Sequence, residues 1–260
     1  WNLINKELIK HHTKFIPIDS EHFSIWQLIK NKNIKNIQKI YITASGGPFL
    51  NYPLKNFKKI TFKEAINHPN WKMGNKISID SSTLMNKVFE VIEASNIFHI
   101  HLKKFEIVVH PKSYVHSIIN YKSGFSEMLF HNPDMKIPIL NSLDFKNIKL
   151  LNIKDKPDFK LLNNLNFQNF NFNKFPSTKI LKLIPKQITL FNTVIVASND
   201  SLVNLFINKK IKFNDISKYL YKIINLKKYR YTKSKKPKNI REINDLMFDV
   251  FKSAHDICND

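Results

Sequence analysis

Two carboxylates stand two residues apart in IDSEH (18–22), and a third, Glu90, lies in a separate segment. In an extended stretch alternate side chains share a side, so Asp19 and Glu21 would point the same way. With Glu90 brought in by the fold, the three would form an oxygen-rich trio. Such a donor set suits Mg²⁺ or Mn²⁺ better than Zn²⁺. The same letters read equally well as a helix start, with Asp or Ser as the cap and Glu in the first turn. A second cluster lies in HPNWKMGNKISIDSSTLMNKVFEVIEA (68–94). A helix beginning near Ser81–Ser82 would put hydroxyls, Asn86 and Lys87 within two turns of a positive helix end, an arrangement that suits a phosphate. Its plain alternative is a solvated polar face with a serine cap. In ASGGPF (44–49), Ser45 precedes two of the chain's four glycines. Glycine lets backbone approach a ligand, and it also makes tight turns. His68, Trp71, Met73 and Gly74 sit in a Pro- and Gly-bracketed stretch that reads as a lid. His99, His101, His110 and His116 match no zinc-ligand spacing, and structural roles are expected for them.

These groups need elements to carry them. FIPI (15–18) reads as a strand ending at Asp19, and SIWQLIK (24–30) as a helix. KIYITA (39–44) is a second strand, closed by the glycine turn. Residues around 51–64 read as loop plus a short helix, and KISID (76–80) as a strand or strand end. From Ser81–Ser82 a helix should run to about Asn96. Leu84, Met85, Val88, Val91, Ile92 and Ser95 form its core stripe, with Asn86, Glu90 and Glu93 on another side. KFEIVVH (104–110) and SIINYKSG (117–124) are expected to pair, with SEMLFH (126–131) a third strand. PDMKIPILNSL (133–143) turns helical. Residues 151–172 resemble a long connection, and four stretches after Pro176 have helical spacing. The fold expected is an α+β catalytic domain, a mixed sheet with helices, followed by a C-terminal all-α helical bundle.

Composition removes several classes. No run of about 18 apolar residues occurs, so no membrane span is expected. A single cysteine, Cys258, excludes an internal disulfide framework. The net charge of +22 would suit nucleic acid. However, Lys, Asn and Ile crowd every surface-like stretch, and the only arginines are Arg230 and Arg241. Specific DNA readers lean on Arg. A nucleic-acid partner is therefore not expected, and TKSKKPK (232–238) reads as a solvated loop. The charge would still attract anionic substrates.

Taken together and in order, five segments resemble the 1-deoxy-D-xylulose-5-phosphate reductoisomerase family: PIDSEH (17–22), ITASGGPF (42–49), HPNWKMGNKISIDSSTLMNKVFEVIEA (68–94), VVHPKSYVHSIINYKSG (108–124) and PDMKIPI (133–139). FPSTKILKL and VASNDSLVNLFI look like degenerate versions of later family segments. The resemblance implies rearrangement of 1-deoxy-D-xylulose 5-phosphate and its reduction with NADPH to 2-C-methyl-D-erythritol 4-phosphate, a step of non-mevalonate isoprenoid synthesis. It implies Asp19, Glu21 and Glu90 as ligands of Mn²⁺ or Mg²⁺. Ser45, Ser81, Asn86, Lys87 and His68 would grip the phosphate and nearby hydroxyls, and Ser20 would touch substrate beside the metal. Trp71 and Met73 would close over the bound molecule, with Met73 and Gly74 toward the cofactor. A homodimer in a bacterial-type cytoplasm or a plastid-like organelle is implied too.

By the same resemblance, residues 1–18 are the tail of an absent nucleotide-binding domain. Residues 19–150 are the catalytic domain, 151–174 a connection and 175–260 the helical domain. The chain then reads as a fragment that binds NADPH poorly and does not turn over. Two positions depart from the family pattern: Val88 stands where glycine is usual, and Asn75 where a basic residue is common. The alternatives are a decayed homologue that keeps only the fold, and a basic nucleic-acid-binding protein.

Overall fold

The computed structural model describes residues 1–71, 73–143, 158–169 and 171–259. In chain order the elements are α1 (Asn2–Lys10), α2 (Ser20–Ile29), β1 (Ile37–Ala44), α3 (Phe62–Ala65), α4 (Asn75–Ser82), α5 (Met85–Ile97), β2 (Phe105–Val109), β3 (Val115–Tyr121), β4 (Ser126–Phe130), α6 (Lys136–Ser142), α7 (Phe159–Leu162), α8 (Phe191–Ile207), α9 (Phe213–Ile224) and α10 (Ile240–Asn259). Short 3₁₀ helices include Leu54–Lys59, Pro176–Leu183 and Lys227–Lys233. The chain forms two compact units, one from Lys14–Gly46 and Phe89–Asn171, the other from Trp1–Thr13, Gly47–Val88 and Phe172–Asp260.

The first unit is built on a mixed four-stranded sheet of order β2-β1-β3-β4. β1 pairs in parallel with β2, Ile42 opposite Ile107, and antiparallel with β3, Ile40 opposite Ile119. Central strands are covered on both faces, and β3 accordingly buries nearly every residue, while the edge strand β4 buries none fully. The buried Thr43 hydroxyl donates to the Val115 carbonyl at 2.6 Å, tying β1 to β3. Helix α2 lies against β3 and β4 and buries Phe23 and Ile25. Each such side chain contributes about 1.5–3 kcal/mol by leaving water.

The second unit is mainly helical. α8 is apolar on most sides and is buried accordingly, packing against α9, α10 and α4. Phe49, Phe57, Phe206 and Phe213 form an edge-to-face cluster, with Phe49 and Phe213 centroids 5.1 Å apart at 69°. Helix α3 opens with a capping box between Thr61 and Glu64. No helix among the described residues is long and apolar enough to cross a membrane.

Several expected elements are different in the structure. FIPI is not a strand: Phe15, Ile16 and Ile18 are exposed, and Pro17 lacks the donor a ladder needs. KISID is helical, forming most of α4. Its alternating Ile77 and Ile79 imitate a strand, but Lys76 and Asp80 pair across one helical turn. Ser81 and Ser82 consequently end α4 instead of beginning a helix. Thr83 and Leu84 follow, Leu84 in the left-handed region at φ 58°, and α5 starts at Met85. KFEIVVH and SIINYKSG do not pair with each other, because β1 lies between them. The stretch expected as a connection falls partly outside the described residues; within its described part are α7 and a bridge between Gln168 and Val109.

Candidate metal centre

Helix α2 begins with Asp19 as its cap, the side chain accepting from the Glu21 backbone N–H at 3.2 Å. Capping fixes Asp19 at the helix entrance and leaves Glu21 in the first turn, where an anion is favoured. The Ser20 hydroxyl donates to Glu21 Oε2. Glu90 comes from α5 and is 3% exposed. One oxygen each from Asp19, Glu21 and Glu90 lies within 4.8 Å of the others, and no other group of this kind occurs among the described residues. All three belong to the sheet unit. The helix-start and trio readings of IDSEH are thus both realised. Three carboxylates this close repel unless a cation or protons intervene, and an all-oxygen set fits a hard divalent cation.

His22, quoted in the motif but given no role, is the residue that sequence reasoning missed. It is buried. Its Nε2 donates to the Glu90 carbonyl at 2.9 Å, and its Nδ1 lies 3.5 Å from Asp19 Oδ1. One imidazole therefore spans the α2 entrance and the α5 backbone. The signal was its position three residues after the cap, one helical turn on. His131 stacks on His116, centroids 3.8 Å apart, and burial lowers its pKa despite the nearby Glu21 carboxylate. His110 is buried, with Nδ1 at 2.9 Å from the Asn166 carbonyl.

The remaining expected residues are distributed as follows. Ser45 follows β1 in the sheet unit. In the helical unit, His68 Nδ1 accepts from the backbone N–H groups of Asn70 at 3.1 Å and Trp71 at 3.0 Å, which leaves the imidazole proton on Nε2. Burial, and then the Lys87 ammonium, push the His68 pKa down to about 4, so the ring is neutral near pH 7. Lys87 is 7% exposed and stands with Asn86 in the first turn of α5, one turn before Glu90. Burial of both Lys87 and Glu90 removes the solvated-face alternative. Ser81 is half-buried in the last turn of α4 and so does not cap a helix N-terminus; the helix start beside Asn86 and Lys87 is that of α5, at Met85. Met73 and Gly74 precede α4, and a Cβ placed on Gly74 would meet no atom within 4 Å. The α-carbon of Gly74 therefore faces open space.

An ionic cluster around the buried Asp80 supports α4. Asp80, 2% exposed, accepts from Lys76 at 2.7 Å and from the Asn199 amide at 2.8 Å, and Lys76 also reaches Asp200 at 3.0 Å. Burial pushes the Asp80 carboxyl up, opposed by Lys76 and Asn199.

Fold and donor set together define a class: an α+β protein with a carboxylate centre suited to a hard divalent cation. Residues 15–98 match the family described as the 1-deoxy-D-xylulose 5-phosphate reductoisomerase C-terminal domain, and residues 130–250 match the DXP reductoisomerase C-terminal domain. The chain belongs to the 1-deoxy-D-xylulose 5-phosphate reductoisomerase family. It is 53% identical over 246 residues to the reductoisomerase of Pelagibacter ubique, covering 95% of this chain and 63% of that one. It is 40% identical to that of Sulfurihydrogenibium sp., covering 96% and 64%. A crystal structure of DOX-P reductoisomerase with NADPH, fosmidomycin and magnesium superimposes with a TM-score of 0.83 at 30% identity, covering 99% of this chain and 65% of that one. The Zymomonas mobilis enzyme with NADPH gives 0.82 at 31% identity, with the same coverage. The chain thus spans just under two thirds of the length of these relatives.

Proposed function

We propose that this chain forms the metal- and substrate-handling part of an enzyme that converts 1-deoxy-D-xylulose 5-phosphate to 2-C-methyl-D-erythritol 4-phosphate with NADPH. The observation that carries this reading is the convergence of Asp19, Glu21 and Glu90. These three would hold Mg²⁺ or Mn²⁺, which supplies Lewis-acid polarisation of substrate oxygens when bound. NADPH would supply the hydride, with Met73 and Gly74 toward it.

The chain's own side chains bind and orient. Lys87 is a buried ammonium and so an effective partner for a phosphate, because a low-dielectric setting strengthens the attraction. Asn86, Ser81 and Ser45 would add neutral hydrogen bonds. His68, neutral and with its proton on Nε2, would donate to the sugar phosphate without a change of charge. Ser20 would contact substrate while holding Glu21 in place. Trp71 and Met73 would cover the bound molecule and exclude water. The reading extends to a homodimer in the bacterial cytoplasm and to Mn²⁺ as an accepted cation, consistent with bacterial relatives.

Calorimetric titration of the 260-residue chain with Mn²⁺ tests this. Glu90→Gln keeps the size of the side chain and removes one charge, and should weaken binding by at least about tenfold, the value of one charge-assisted contact. Unchanged affinity would remove the metal centre from the account. Fosmidomycin should raise the melting temperature of the wild-type chain only when Mg²⁺ or Mn²⁺ is present.

A further inference from the structure

His131 directly follows β4, and none of the roles proposed above uses it. Its backbone N–H donates to the Tyr114 carbonyl at 3.0 Å, and the residue is 9% exposed. Nδ1 lies 2.6 Å from the Asn132 carbonyl oxygen, so the ring proton sits on Nδ1 and is donated there. Nε2 is left as a bare lone pair. It is buried and has no hydrogen-bond partner among the described residues. His116 covers one face of the ring, and its own Nε2 is 3.3 Å from the His131 carbonyl, so the pair is held in place. A histidine with one nitrogen fixed on a backbone carbonyl and the other left open is the arrangement found around bound metal ions.

Glu21 links this ring to the carboxylate trio. Helix α2, which opens with Asp19 and Glu21, packs against β3 and β4 in the same unit as His131. Burial holds the ring below its ordinary pKa, opposed by the Asn132 carbonyl and then by the Glu21 and Asp134 carboxylates. Asp134 stands at the Nδ1 edge, because its backbone N–H donates to the same Asn132 carbonyl at 2.7 Å. Glu21 is left to the other edge. Nε2 is not among the atoms within 4.8 Å of one another, so it is no fourth direct donor. Three carboxylates do not fill the shell of a hard divalent cation, which keeps waters, and each of these is a donor in need of an acceptor.

We propose that His131 faces the trio and that its Nε2 accepts a hydrogen bond from a water held by the cation. This rests on Asp19, Glu21 and Glu90 binding that cation. His131 is then a positioning residue: it fixes one water and leaves the remaining positions on the ion to a substrate's oxygens.

The test titrates the full chain with Mn²⁺ by calorimetry. His131→Phe keeps a ring on His116 and removes the acceptor, and should weaken binding by about tenfold. His131→Gln restores an acceptor oxygen and should recover most of that loss. A second readout is one that packing alone would not move. In the ¹⁵N-histidine-labelled chain, saturation with Mg²⁺ should shift the His131 Nε2 resonance upfield, as a lone pair gains a donor, while Nδ1 stays protonated. Unchanged affinity in His131→Phe, with Glu90→Gln weakened, would overturn this proposal and leave the trio standing. Equal losses in the Phe and Gln variants would reduce His131 to packing and overturn it as well. A stationary Nε2 resonance would do the same, and needs no variant to fold. No Mn²⁺ binding, or unchanged binding in Glu90→Gln, would remove the trio and this proposal with it.

Discussion

Gly47→Ala measures how tightly the glycine turn is packed against the end of α4. Gly47 has φ +63°, and an added Cβ would lie 2.9 Å from the Ser81 carbonyl oxygen and 3.1 Å from Ser82 Cα. The left-handed conformation costs an L-residue about 1–2 kcal/mol. Both atoms met are backbone, fixed because the Ser81 carbonyl already accepts from Leu84 N–H at 3.1 Å, so neither can rotate away. Overpacking of this kind adds about 1–3 kcal/mol. The stiffer unfolded chain returns about 0.4–1 kcal/mol. The net expected loss is about 1–5 kcal/mol, centred on about 3. Gly124→Ala isolates the conformational part, since Gly124 has φ +93° and its added Cβ would meet nothing within 4 Å. That variant should lose only about 1 kcal/mol. Urea unfolding followed by circular dichroism gives both values, provided the slopes match. Equal losses in the two variants would show that the turn is not wedged against α4, and the steric argument would fail.

Two further outcomes are expected. The folded-state pKa of His68, about 4, lies below its ordinary 6.5, so the unfolded chain takes up the proton first. The stability tied to His68 is complete above about pH 6.5 and is lost as pH falls toward 4; discounted for partial exposure it amounts to about 1–2 kcal/mol, and His68→Gln should flatten that limb of the stability curve. An unaltered acid limb would contradict the burial argument. Lys76→Met leaves Asp80 buried with only the Asn199 amide, and should cost about 2–3 kcal/mol, less than a fully buried pair because Lys76 is half exposed. Adding Asp80→Asn should recover part of that loss in the same urea assay, and no recovery would locate the cost elsewhere.

Much of this was legible locally. The apolar runs of β1, β3 and β4 and the three-and-four spacing of α8, α9 and α10 announce themselves. KISID misleads because Ile77 and Ile79 alternate, whereas the informative pair was Lys76 with Asp80, four apart. Strand order was not legible: β2 and β3 are neighbours in the text, yet β1, far earlier in the chain, pairs with both and lies between them. Asp19 and Glu21 could be grouped from their spacing, but Glu90 joins them through tertiary structure and was assigned from the resemblance. The Asp80–Asn199 contact spans 119 positions, beyond any local pattern. Leu84 carries no residue-type warning of its left-handed backbone, which is why the helix start was placed three or four residues early.

The double employment of Asp19 has a mechanical consequence. If the proposed metal centre holds, the carboxylate that stabilises the opening turn of α2 is also one of its three donors, and order in that turn and occupancy of the trio would share a single free-energy term. By thermodynamic reciprocity, whatever frays the turn must loosen the ion, and whatever seats the ion must tighten the turn. Substitutions in α2 that never touch a cation would then be recorded as changes in its affinity.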